Sequence, residues 1–353
     1  MGTFSSSRNG DIIKESRHGF DFTLRKCRGI LTSTTNLFMQ TVSLGVSSLS
    51  SSRLAYGCWR LAGTWNPAEV TPEAKTQGRR AVIAAYEAGY TLFDNADIYC
   101  RGVTEEIFGE ALRMVSGMRD KVIIATKCGI RFPGEPAPES PQRYDFSAEH
   151  IVRSCEQSLK RMAVETIDLY QLHRPDYLAD PQEVADAFMQ LRQAGKVRYF
   201  GVSNFRPSLV TALQVACPVP LVVHQVEISL AKLDCFTDGT LDQCLAENLA
   251  PLAWSPLARG LLGSGGKEGS AGKGANSAAE RTVPVLDAIA QARGTSRTVV
   301  ALAWLLKHPA KIVPIVGSTN PVRIREAVKA ADLELTREEW YQLLLAARGE
   351  PLP

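Results

Sequence analysis

From Thr41 onward, short apolar runs alternate with longer stretches in which apolar residues recur every three or four positions. That is the spacing of strands alternating with amphipathic helices. The apolar runs fall near residues 54, 92, 122, 168, 198, 222, 252 and 313, after a hairpin-like lead-in around Gly45. Helix signals stand between them. Thr71-Pro72-Glu73 combines a hydroxyl cap, a proline at the first helical position and an acid in the first turn, and Gly89 closes that helix. Thr104-Glu105-Glu106 starts a second helix, and Ser147 caps a third with Ile151, Cys155, Leu159 and Met162 on one face. Asp180-Pro181-Gln182-Glu183 reads as a capping box whose helix ends at Gly195, and Asn320-Pro321 opens another helix. Eight successive strand-then-helix units predict a closed parallel α/β barrel, the (β/α)8 TIM barrel, whose usual size is about 250 residues plus insertions. A doubly wound open sheet is the rival, weakened because no G-x-G-x-x-G follows the first strand.

In such a barrel the chemistry sits where strands end and loops begin, and the residues at those ends are chemically selective. Leu92-Phe93 runs into Asp94 and then Tyr99, Lys121 to Thr126 delivers Lys127, and Ile167 to Leu172 ends at His173. Later ends carry Ser203-Asn204, Gln225, Trp254-Ser255 and Gly317-Ser318. A phenol is a poor proton donor at neutral pH because its pKa is about 10. A neighbouring ammonium is expected to lower that value, while an aspartate holds the ammonium charged and oriented. A histidine at the same mouth can hydrogen-bond a carbonyl oxygen. Closing the barrel would therefore assemble a site that protonates an oxygen as hydride reaches its carbon.

Phe93-Asp-Asn-Ala-Asp-Ile-Tyr99 (D-x-A-x-x-Y), Ala125-Thr-Lys127, Ile167-Asp-Leu-Tyr-Gln-Leu-His173, Gly201-Val-Ser-Asn-Phe205 and His224-Gln-Val-Glu227 occur in that order. Together they resemble the aldo/keto reductase family over roughly residues 41–350. The resemblance implies an NADP-dependent enzyme that reduces an aldehyde or ketone, with Tyr99 as general acid, Lys127 and Asp94 tuning it, and His173 orienting the carbonyl. It also implies a cofactor site. Ser203, Asn204 and Gln225 match residues that bind the nicotinamide amide, and Trp254 the aromatic that stacks on its ring. Ser255, Pro256 and Leu257 match the loop beside the pyrophosphate. Gly317, Ser318, Thr319 and Arg323 match the adenosine 2′-phosphate site, where a helix N-terminus and an arginine favour an anion. Three positions depart from the pattern: Gly317 stands at a frequent lysine, Trp254 at a frequent tyrosine and His224 at a frequent asparagine. The missing lysine weakens the case for NADPH over NADH. A regulatory subunit that binds NADP(H) as a redox sensor is the alternative function, as some relatives of this family are.

Composition narrows the remaining classes. At 353 residues and 45% hydrophobic content the chain can bury a large core. Six of the 40 Lys/Arg and three of the 37 Asp/Glu lie in residues 1–38, so the rest is formally neutral, which argues against a nucleic-acid-binding body. No apolar stretch approaches the roughly 20 residues that cross a bilayer. The five histidines show no His-x-His or H-E-x-x-H spacing, so no metal is expected. Eight scattered cysteines without C-x-x-C suggest a reducing compartment, and a cytoplasmic location is expected. Cys100 and Cys128 flank candidate catalytic positions, with packing the favoured role over redox sensitivity. Residues 1–38, basic and rich in Ser/Thr, read as a disordered extension before a single barrel domain over 39–353, with a functional start near Met39; an organelle transit peptide has the same composition. Gly263–Gly274 is not a P-loop and reads as a flexible linker or a lid over the cofactor. The expected partner is a small carbonyl compound; the oligomeric state stays open.

Overall fold

The computed structural model describes residues 39–264 and 273–352. The extension expected over residues 1–38 and the linker or lid, apart from its two ends, lie outside the described residues. A hairpin of β1 (Thr41–Ser43) and β2 (Ser50–Ser52) precedes β3 (Ala55–Gly57), α1 (Pro72–Glu87), β4 (Leu92–Asp94), α2 (Val103–Met114) and β5 (Ile123–Cys128). A second small hairpin, β6 (Ile130–Arg131) and β7 (Arg143–Tyr144), leads into α3 (Ala148–Met162), β8 (Ile167–Leu172), α4 (Pro181–Gln193), β9 (Val197–Ser203) and α5 (Pro207–Ala216). The chain continues through β10 (Leu221–Glu227), α6 (Thr240–Ala246), β11 (Ala250–Trp254), α7 (Lys273–Ala292), α8 (Arg297–Leu306), β12 (Val313–Val316), α9 (Pro321–Val328) and α10 (Arg337–Arg348). Strands β3, β4, β5, β8, β9, β10, β11 and β12 pair in parallel in that order, and β12 closes on β3. This is the (β/α)8 barrel that the alternating pattern predicts.

Strand alternation sorts the side chains into two cores. Leu92, Ile123, Leu169, Val223, Leu252 and Ile315 share the inner cluster, which Val42, Leu44 and Leu49 of the β1–β2 hairpin join. The hairpin turns at Gly45, whose φ of +56° and approach to the Val222 carbonyl leave no room for a side chain. The intervening residues, among them Phe93, Ile124, Tyr170 and Leu172, belong to the second cluster, which also holds the buried helix faces.

Most helix starts follow their sequence signals. Thr71 Oγ1 accepts from the Ala74 N–H at 3.2 Å, Ser147 Oγ from His150 N–H at 3.3 Å, and Asn320 Oδ1 from Val322 N–H at 2.9 Å. The capping box expected at Asp180 is only half present. Asp180 caps the Gln182 N–H at 2.9 Å, but Glu183 accepts from the Ala148 N–H at 2.8 Å and so satisfies the start of α3 instead. Glu105, completely buried in α2, is matched by Thr126 Oγ1 at 2.5 Å and Arg161 Nε at 2.6 Å, tying α2 and α3 to the strand that carries Lys127. Among the described residues no helix is long and apolar enough to cross a membrane.

Candidate active site

The same alternation that points Leu92, Ile123, Leu169 and Leu252 inward also points Asp94, Lys127, His173 and Trp254 inward, one or two residue pairs nearer the strands' carboxyl ends. Tyr99 arrives from the loop after β4. Cys100 and Arg101 take left-handed conformations (φ +47° and +50°), and Gly102 follows at +91°. Two non-glycine residues in this region in succession store backbone strain. The Arg161 side chain lies against Gly102, where a Cβ would meet its Cδ at 2.5 Å, and Thr104 Oγ1 donates to the Tyr99 carbonyl at 3.3 Å.

Lys127 is fully buried and all three of its N–H groups are used. Nζ donates to Asp94 Oδ2 at 2.8 Å, to the Asn95 carbonyl at 2.7 Å and to Tyr99 Oη at 3.2 Å. Gln225 Nε2 donates to the other Asp94 oxygen at 2.9 Å. A continuous chain of hydrogen bonds thus runs Gln225, Asp94, Lys127, Tyr99. Desolvation alone would pull the Lys127 pKa down, but Asp94 and Tyr99 outweigh it and the ammonium is held above its ordinary value. Tyr99 departs from expectation. Burial pushes its phenol up more than the Lys127 ammonium pulls it down, so its pKa lies above, not below, the ordinary value. The ammonium's role shifts accordingly, from lowering the resting pKa to stabilising the phenolate that remains after a proton leaves.

His173 sits beside Tyr99, ring centroids 6.0 Å apart at an interplanar angle of 81°. Burial, then the positive charges of Lys127 and Arg174, hold its pKa well below the ordinary range, so the ring is neutral at pH 7. Its buried Nδ1 has no partner among the described residues.

Ser203, Asn204, Gln225 and Trp254 are brought to the same mouth and are already engaged with neighbouring residues. Gln225 spends its amide nitrogen on Asp94, which attaches it to the hydrogen-bonded chain rather than leaving it wholly to a ligand. Asn204, held at φ +63°, donates to Ser203 Oγ at 2.7 Å and to the His173 carbonyl at 3.2 Å, and accepts from Trp254 Nε1 at 2.9 Å. The indole is therefore fixed at the edge of the mouth, with the Arg174 guanidinium 5.6 Å from its ring centroid.

An open groove lies beside this mouth, lined by the loops after β3, β11 and β12 and beginning at Ser255, the residue after Trp254. Ser255, Pro256, Leu257, Gly317, Ser318 and Arg323 all line it. Thr319 does not: it faces a neighbouring cleft with Gln77 and Arg80. Tyr56 Oη anchors the β12 loop through the Ser318 carbonyl at 2.9 Å. Three arginines, Arg60, Arg259 and Arg323, line the groove without a single carboxylate among its described residues. Such a lining gives the groove a positive potential. Arg60 and Gln171 carry no sequence signal of their own for this site, and Trp59, near the end of the first strand, fits pocket lining and core packing equally well on sequence alone. Trp59 is 36% exposed at the groove edge and packs near Trp65, which in turn meets Tyr99 edge-on at 6.1 Å. Gln171, paired in register with Lys127, is buried with neither amide atom partnered among the described residues.

Two further groups have structural readings. The thiols of Cys100 and Cys128 are both pushed up by burial, which removes the thiolate a reactive cysteine needs and fits packing roles. His224, on the outward face of β10, is completely buried, and burial pushes its pKa down to about 4 against the opposing pulls of Asp238 and the Phe205 backbone. In the unfolded chain the value is about 6.5. Between those values the unfolded chain binds more protons, so stability falls as pH drops from about 6.5 to about 4, by about 3 kcal/mol across the window. We expect His224→Asn to flatten that part of the profile. Urea unfolding at several pH values checks it, and equal acid slopes in both proteins would count against it.

The chain is thus a closed parallel α/β barrel with a carboxylate–ammonium–phenol chain at its mouth and an arginine-lined groove beside it. Residues 53–344 match the family model described as "Aldo/keto reductase family". The chain is 41% identical over 317 residues to a 6-dehydroglucose reductase of Novosphingobium aromaticivorans, covering 88% of this chain and 96% of that protein. It is 39% identical to a 6-dehydroglucose reductase of Agrobacterium fabrum, covering 88% and 99%. Among solved structures, the glycerol dehydrogenase of Gluconobacter oxydans superposes with a TM-score of 0.77 at 27% identity, covering 89% of this chain and 97% of that one. The chain belongs to the aldo/keto reductase family, a family of oxidoreductases.

Proposed function

We propose that this chain reduces an aldehyde or ketone to the alcohol with NADPH, using Tyr99 as the general acid. The observation that carries the reading is the hydrogen-bonded chain from Gln225 through Asp94 and Lys127 to Tyr99, with neutral His173 at its open end. The residues at the groove fit a phosphate-bearing dinucleotide, because arginines line it without a carboxylate and Trp254, next in sequence to the groove residue Ser255, holds a fixed indole at the mouth. A reduced nicotinamide, when bound, supplies hydride to the carbonyl carbon.

The protein's own groups do the rest. His173 hydrogen-bonds the carbonyl oxygen as a neutral ring. Tyr99, kept protonated through neutral pH by its raised pKa, gives its proton to that oxygen as negative charge develops there. Lys127 stabilises the phenolate left behind, and Asp94, itself fixed by Gln225, keeps the ammonium aimed at Tyr99. Asn204 holds both the Trp254 ring and the His173 backbone, coupling the indole to the carbonyl site. The arginine lining favours NADPH over NADH through the extra phosphate.

NADPH oxidation with a panel of aldehydes, ketones and dicarbonyls tests the proposal. The similarity to 6-dehydroglucose reductases puts sugar-derived aldehydes first on that panel. Turnover with at least one compound is expected. Tight NADPH binding without turnover would favour the regulatory, redox-sensing reading, and failure to bind it would overturn the reductase reading.

A further inference from the structure

Gly317 opens the β12 loop, at the position where the sequence comparison expects a lysine. Its surroundings explain why no side chain stands there. A Cβ on Gly317 would lie 2.8 Å from Trp59 Nε1 and 3.3 Å from Trp59 Cδ1, so the indole from the loop after β3 already fills that space. Gly317 does not need glycine for its backbone: no positive φ is found there. The constraint is the neighbouring ring. Arg60, the next residue, places its guanidinium 4.5 Å from the centroid of that same ring. It lines the same groove as Ser318 and Arg323 and makes no ion pair among the described residues. The loop after β3 thus brings an aromatic plate and a cation to the place where the β12 loop has neither bulk nor charge.

We propose that Arg60 is a cofactor-binding residue that contacts the adenosine 2′-phosphate of NADP(H) together with Arg323, with Trp59 occupying the volume left by the absent side chain at 317. The two arginines come from different elements, the loop after β3 and helix α9, and line the same groove. A guanidinium stacked on an aromatic ring is held at little entropic cost and keeps its N–H edge free for a phosphate. This inference rests on the dinucleotide reading above and assigns within it the residue that distinguishes NADPH from NADH.

Calorimetric titration of the full chain with NADP+ and with NAD+ tests it, a readout independent of turnover. Arg60→Met is expected to weaken NADP+ about tenfold, the effect of one lost charge-assisted hydrogen bond, while NAD+ changes by less than about twofold. Arg60→Lys, which retains the charge, should recover part of the loss, and the salt dependence of NADP+ binding should become shallower in Arg60→Met than in the parent. NADP+ affinity unchanged in Arg60→Met would overturn the inference while leaving the reductase reading intact. Equal losses for both dinucleotides would also overturn it, since that pattern belongs to a contact with the shared pyrophosphate or to a distorted loop. If the parent protein binds neither dinucleotide, the functional reading fails and this assignment falls with it.

Discussion

If Tyr99 is the general acid, Tyr99→Phe is expected to lower turnover with any accepted carbonyl substrate by about a thousandfold and to leave NADPH affinity within about twofold. The variant removes only the oxygen that meets Lys127 Nζ at 3.2 Å. Lys127 keeps its bonds to Asp94 at 2.8 Å and to the Asn95 carbonyl at 2.7 Å, so the buried charge stays paired and the loop retains its ring in the Trp65 and His173 contacts. Loss of the proton donor is then separable from loss of structure. The expected size follows from the range for a positioned general acid, about 10² to 10⁴. Steady-state kinetics beside a binding titration decides it: a variant that retains more than about a tenth of the parent's turnover would assign the proton to another group.

Lys127→Met carries the second large effect, and it falls on stability as well as activity. Lys127 is 0% exposed and Asp94 only 4%, so water does not screen the pair. Methionine fills much of the volume but leaves Asp94 buried with the Gln225 amide as its remaining side-chain donor. Removing one partner of a buried ion pair costs about 3 to 5 kcal/mol, because the other charge is stranded. Denaturant unfolding of the two proteins measures the difference. A loss below about 1 kcal/mol would show that Asp94 finds another partner and that the ion pair does not hold the site together. Activity should fall with it, since the phenolate formed at Tyr99 would face no cation.

Much of this site is legible in the sequence because the barrel converts linear order into position. A run such as Ile123 to Cys128 has to alternate inward and outward, and any polar residue at the carboxyl end of its inward face reaches the common mouth. Asp94, Lys127 and His173 are readable on those grounds, and Tyr99 through its motif. What the chain hides is contact between distant segments. Gln225 meets Asp94 across 131 positions, and nothing in either local pattern says that the amide is spent on the carboxylate. The direction of the Tyr99 shift is hidden for a related reason: the neighbouring lysine is apparent in the sequence, but the depth of burial that outweighs it is set by the closed barrel. Glu183 has the spacing of a capping box, yet the packing of α3 beside α4 offers it a different N–H. Trp59 and Arg60 sit in a loop without periodicity, so their relation to Gly317 appears only once β12 closes against β3.

The central claim is that this barrel carries hydride from a reduced nicotinamide to a carbonyl carbon while Tyr99 protonates the oxygen. Its most direct test is the fate of a label: incubate the protein with NADPH deuterated at the transferable position and an accepted aldehyde or ketone, then examine the product by mass spectrometry. The account predicts one deuterium on the carbon bearing the new hydroxyl, with the yield collapsing in Tyr99→Phe. An alcohol formed without that deuterium, or undiminished labelling in the variant, would contradict it.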